Sequence, residues 1–129
     1  MLLDTSGLLC VHHKDESQHS QALTFFQAAS TRMTHSYVLA EFVPLCHVRG
    51  VPREAALSFV TTLIDNPLVD MIWVDEILHR AALALLQARL DKTYSLCDAV
   101  SFLLMRQRSI DEALTTDRHF EQEGFRRLL

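Results

Sequence analysis

Four acidic residues stand where their neighbours in the chain are mostly apolar or small: Asp4, Glu41, Asp98 and Asp117. Asp4 closes the apolar run Met1–Asp4, a candidate buried strand that turns through Thr5, Ser6 and Gly7. Glu41 is the only charge in a helix that Ser36 opens, amid Tyr37, Val38, Phe42 and Leu45. Asp98 falls in the first turn of a helix over Leu96–Gln107, whose apolar residues are spread almost all round it. Asp117 stands just past a short strand over Glu112–Thr116. Carboxylates at strand ends and helix starts could face one cleft. Two unit charges 4 Å apart repel by about 4 kcal/mol at an effective dielectric near 20, so four together require raised pKa values or a bound cation. A cage of oxygens suits Mg²⁺ or Mn²⁺, which also accept phosphate oxygens.

Each acid, taken singly, has a structural alternative. Ser95 and Asp98 have the spacing of a capping box, in which the acid bonds back to the cap residue's amide. Asp117 could cap a short helix beginning with His119, Phe120 and Glu121. Asp4 could make an Asx turn, or cap a short helix over Gly7–Val11. Glu41 is neither a cap nor on a polar face, and burying it needs a partner, either Arg49 or a ligand. Asp75 has a complete explanation as a helix cap and, with Glu76, stays outside any site. Thr115 alternates onto the side of Asp117 in an extended strand, where its hydroxyl could orient a carboxylate or simply favour the strand. His119 is assigned a packing role at the start of the last helix. The seven histidines include no HxxxH pair, which disfavours zinc.

The elements that must position these residues alternate. A loop over Cys10–Ser17 precedes an amphipathic helix from about Ser17 to Ala29, then an extended stretch Thr31–His35. In the next helix Pro44 removes the amide that would bond to Ala40, which predicts a kink beside Glu41. Gly50 ends that helix, and Pro52 begins one that runs to Ile64. Val69–Val74 is the best strand by composition, and Phe125–Leu128 makes a terminal strand after Gly124. Short apolar strands without period-2 alternation point to a parallel sheet buried on both faces, with ligands beyond the strands' carboxyl ends.

The 129 residues fit one domain, with no repeat or linker. A net charge of −4 argues against indiscriminate nucleic-acid binding. Three scattered cysteines suggest reduced thiols and a cytoplasmic protein. The acid at position 4 and the missing basic start argue against a signal peptide, and no apolar run is long enough for a membrane span.

The stretches LLDTSGLL, VLAEF, YSLCDAVSFLLMRQRSI and ALTTDRHFEQEGFRRLL together resemble the PIN-domain ribonucleases, and among them the VapC-type toxins of toxin–antitoxin pairs. The resemblance spans essentially the whole chain. It implies an α/β/α sandwich on a parallel five-stranded sheet of order 3-2-1-4-5. It also implies a metal site formed by Asp4, Glu41, Asp98 and Asp117, supported by the hydroxyls of Ser6 and Thr115. Two departures stand out: Cys97 precedes the third acid where such proteins often have threonine, and Pro44 could re-aim Glu41. The expected activity is Mg²⁺- or Mn²⁺-dependent hydrolysis of RNA phosphodiesters. Arg106, Arg108 and Arg118 are candidates for gripping RNA, by closeness in sequence alone, and a solvated surface role is their alternative. The expected partners are RNA, an antitoxin protein and a second copy of the chain, with no membrane. The competing expectation is a non-catalytic PIN-like module that binds RNA or protein; a phosphatase-like or DNA-directed nuclease is a further rival. Four intact acids argue against the non-catalytic module.

Overall fold

Why short extended runs become one sheet is visible in the central one of them. In a computed structural model describing residues 1–129, strand β1 (Leu2–Leu3) sends its two side chains to opposite faces. Leu2 joins Met33, Val100, Phe102, Met105, Ala113 and Phe120 on one side. Leu3 joins Leu8, Val38, Phe42, Leu63 and Leu114 on the other. Helices α1 (Thr5–His12), α2 (His19–Ala28), α3 (Ser36–Val48) and α4 (Arg53–Asp65) cover the second face, and α5 (Glu76–Gln87), α6 (Leu96–Gln107) and α7 (His119–Gln122) the first. The result is three layers with a core on each side of the sheet.

The other strands are β2 (Met33–His35), β3 (Asp70–Ile72), β4 (Glu112–Leu114) and β5 (Arg126–Arg127). All neighbours pair in parallel, in the order β3-β2-β1-β4-β5 that the resemblance implied. Leu2 sits opposite both Met33 and Ala113, which makes β1 the centre of the sheet. The chain builds outward from β1 to β3, then returns to lay β4 against the other side of β1. The order therefore reverses between β1 and β4, where a crevice opens beyond the strand ends.

Several local expectations need correcting. Burial on both faces holds for β1 and β2 but not for β3, whose Asp70 is exposed because it edges the sheet. The loop expected from Cys10 begins later, since α1 starts directly after Asp4 and runs to His12. Helix α3 runs from Ser36 to Val48 with Pro44 inside it, and the kink expected there concerns its axis rather than its continuity. Pro52 stands just ahead of α4 rather than in it. Strand β4 stops at Leu114, two residues early, because the next amides leave the ladder. The Thr116 amide donates to Ser6 Oγ at 3.0 Å, and the Asp117 amide to Thr115 Oγ1 at 3.0 Å.

Gly7 lets α1 lie across the end of β4. A Cβ there would stand 1.9 Å from the Leu114 carbonyl oxygen, a backbone atom that cannot step aside. Gly7→Ala should destabilise the protein by about 3 kcal/mol or more, measured by urea unfolding. An unchanged midpoint would mean that α1 does not pack against β4 in this way.

Candidate functional site

Asp4 follows β1 in an extended conformation and holds the cap position of α1, yet its side chain makes no cap bond. Its Oδ2 instead accepts from Thr115 Oγ1 at 2.7 Å and from Ser6 Oγ at 3.1 Å. Those two hydroxyls lie 3.0 Å apart and close a triangle on the carboxylate. Thr115 thus orients Asp4 rather than Asp117, through a turn just past β4 instead of through strand alternation. Asp4 is only 6% exposed. Burial pushes its pKa up from 3.8 to about 6, against the lowering effect of the Thr115 hydroxyl.

Asp98 combines both roles weighed for it. Ser95 Oγ accepts its amide at 3.0 Å, and Asp98 Oδ2 accepts the Ser95 amide at 2.8 Å, which completes the capping box. The same Oδ2 lies 3.1 Å from His119 Nδ1, at the wall of the cleft. Being a cap and facing the cleft are compatible, because one carboxylate has more than one lone pair to offer. Asp98 is 7% exposed, and burial raises its pKa.

Asp117 Oδ1 accepts the His119 amide at 2.9 Å at the start of α7, while its Oδ2 lies 3.3 Å from His119 Nδ1. Glu41 comes in from α3. Thr5 Oγ1 donates to its Oε2 at 3.4 Å, and the Cys97 side chain neighbours it. The residue as a whole is exposed, but its carboxyl end is desolvated enough that burial raises the pKa. Burial also pushes the Cys97 thiol up, so it stays protonated. Arg49 pairs with Glu16 at 3.3 Å, so it is not the partner of Glu41.

The four acids therefore line one cleft of about 470 Å³. Around them stand the hydroxyl residues Thr5, Ser6, Thr93, Ser95 and Thr116, with Leu45 and His119. No lysine or arginine belongs to that lining. The oxygens of Asp98 and Asp117 and a nitrogen of His119 all fall within 4.8 Å of one another, a separation compatible with one shared cation. Asp4 and Asp98 each commit Oδ2 to donors of the chain, and Asp98 Oδ1 has no partner in it. A crowd of desolvated carboxylates without a cationic side chain fits a divalent metal, with Asp4, Glu41, Asp98 and Asp117 as the donors at hand.

The arginines are placed differently from their sequence positions. Arg106 pairs with Glu123 at 3.0 Å and lies over the Phe125 ring, and Arg108 pairs with Asp70 at 3.2 Å. Arg106 follows Asp98 by eight residues, which is about 12 Å along a helix, so closeness in sequence put it at the far end of α6. Arg118 is exposed, stands between the lining residues Asp117 and His119 in the chain, and makes no ion pair. His119 packs against Tyr94 at the start of α7, as expected, and it also contacts two of the four acids. The usable signal was its place two residues after an acid at a strand end.

The PIN domain family model matches residues 1–125. Among solved structures the chain is similar to Mycobacterium tuberculosis VapC20, described as a sarcin-ricin loop cleaving toxin. The two share 26% identity and a TM-score of 0.87, over 96% of this chain and 95% of that one. No curated protein matches the chain.

The raised pKa of Asp4 has a testable sign. Its contribution to stability is complete below the unfolded value of 3.8 and is lost as the pH rises through about 6. Removing the charge with Asp4→Asn should therefore stabilise the metal-free protein at pH 7.5 by roughly 2–3 kcal/mol, a gap that narrows toward pH 5. Buried His35, held down near pH 4, pulls the wild-type curve the other way, but it is common to both proteins and cancels in the difference. Thermal melts at the two pH values decide it; no gap at pH 7.5 would contradict the burial of this charge.

Proposed function

The chain belongs to the PIN-domain family, and from that premise we propose that it is a Mg²⁺-dependent endoribonuclease of the VapC type, the toxin of a toxin–antitoxin pair. The observation that carries this is the meeting of Asp4, Glu41, Asp98 and Asp117 in one cleft where the strand order reverses. The PIN-domain match and the likeness to a sarcin-ricin loop cleaving toxin support RNA as the substrate.

Mg²⁺ or Mn²⁺ bound there supplies Lewis acidity, offsetting charge on the phosphodiester and strengthening the acidity of a nearby water. The chain's own residues hold and aim the donors. Ser6 and Thr115 fix Asp4 through one oxygen, the Ser95 amide fixes Asp98, and the His119 amide fixes Asp117. Glu41 is tethered by one long hydroxyl bond, and so is the acid freest to adjust. With no lysine or arginine in the lining, a metal held by the acids would meet the RNA phosphate, and exposed Arg118, between Asp117 and His119 in the chain, is the arginine that could assist.

A second copy of the chain is the proposed structural partner, supported by Trp73, just after β3, and Ile77, in the first turn of α5, which are 64% and 79% exposed. An antitoxin that closes the cleft is the other. Three free buried cysteines, and the fact that no helix is long and apolar enough to cross a membrane, support a cytoplasmic location.

Asp98→Asn separates this reading from a non-catalytic RNA-binding module. The amide oxygen can still accept the Ser95 amide, so the fold and the cap should survive with a melting temperature within a few degrees of wild type. Cleavage of RNA at saturating Mg²⁺ should fall by about 100-fold or more. Wild-type protein that binds RNA but leaves it intact with either Mg²⁺ or Mn²⁺ would establish the module instead.

A further inference from the structure

We propose that His119 is a positioning residue that holds Asp98 and Asp117 together for the metal, an inference that rests on the cleft being a divalent-metal site. Its Nδ1 lies 3.1 Å from Asp98 Oδ2 and 3.3 Å from Asp117 Oδ2. Facing two carboxylate oxygens, that nitrogen carries the hydrogen in either charge state of the ring. One donor thus spans two like charges from separate elements, α6 and the turn before α7. Its backbone amide also donates to Asp117 Oδ1, so a single residue restrains both oxygens of that acid.

The ring is itself braced. Thr93 Oγ1 meets Nε2 at 3.1 Å, and Tyr94 packs against the imidazole in a T-shaped contact at 5.2 Å. The Tyr94 hydroxyl donates to Glu123 Oε2 at 3.4 Å, and Glu123 is held by Arg89 at 3.1 Å and Arg106 at 3.0 Å. Arg106, far from the cleft along α6, is tied to the acids through this chain of contacts. A histidine held at both nitrogens has one orientation available. In metal sites where histidine is the ligand, a carboxylate often fixes the ring; here the relation is inverted, with the imidazole fixing the carboxylates.

The test is a calorimetric titration of Mn²⁺ into metal-free protein without RNA, for the wild type, His119→Ala, His119→Asn and Thr93→Val. His119→Ala should weaken Mn²⁺ binding by about tenfold or more, whereas His119→Asn, whose amide nitrogen falls near Nδ1, should stay within about threefold of wild type. The Mn²⁺ concentration for half-maximal RNA cleavage should rise by the same factor as the dissociation constant. Thr93→Val leaves the imidazole in place and removes one brace, so a smaller loss is expected, and it carries the test should His119→Ala fail to fold. If the wild type binds Mn²⁺ and both His119→Ala and Thr93→Val match it, the positioning role is overturned while the metal site stands. If the wild type binds no Mn²⁺, the metal reading falls and the proposal with it. Nitrogen coupling from the His119 ring to bound Mn²⁺ in pulsed electron paramagnetic resonance would make His119 a ligand and overturn the proposal as well.

Discussion

Carboxylates that leave water together repel one another with little solvent to screen them, and the arrangement of this molecule follows from that. Asp4 and Asp98 are nearly buried, and burial raises both pKa values, as it does for the carboxyl of Glu41. No lysine or arginine in the cleft lining answers them, and the one imidazole at its wall, His119, faces two of the acids. A fold keeps such a group of charges only where the surrounding structure holds it in place or a ligand relieves it. Hydroxyls and amides do the holding here, and they do so without neutralising the charge, an arrangement that suits a divalent cation.

The sheet explains how acids so far apart in sequence arrive together. Parallel strands end on the same side, so a residue following β1 and one following β4 emerge into the same crevice. The Ser6–Thr115 pair then does two things at once. It orients Asp4, and it takes the amides of Thr116 and Asp117 that would otherwise have continued the ladder. The early end of β4 and the aim of Asp4 are one event. The small residue at position 7 serves the same junction by letting α1 meet the backbone of β4.

How much of this was legible in the sequence depended on the range of the interaction. The start of α6 was readable because Ser95 and Asp98 cap each other three residues apart. The start of α5 was readable in the same way, since Asp75 accepts the Leu78 amide. The end of β4 was not, because its outcome is decided by a serine some 110 residues away in the chain. Arg106 was misplaced because nearness along a helix is not nearness in space beyond a turn or two. His119 was passed over because a histidine beside an aromatic looks the same whether it packs or clamps, and only its distance to Asp98 separates the two. The strand order came from family resemblance and not from periodicity, since runs of two or three residues carry too little pattern to fix their neighbours.

The central claim is that the four acids exist to hold a divalent cation, and diffraction from crystals grown with Mn²⁺ tests it most directly. The account predicts an anomalous peak in the cleft, within about 2.5 Å of carboxylate oxygens of Asp98 and at least one more of the four acids. Well-ordered crystals with Mn²⁺ bound only elsewhere, and water alone between these carboxylates, would contradict it.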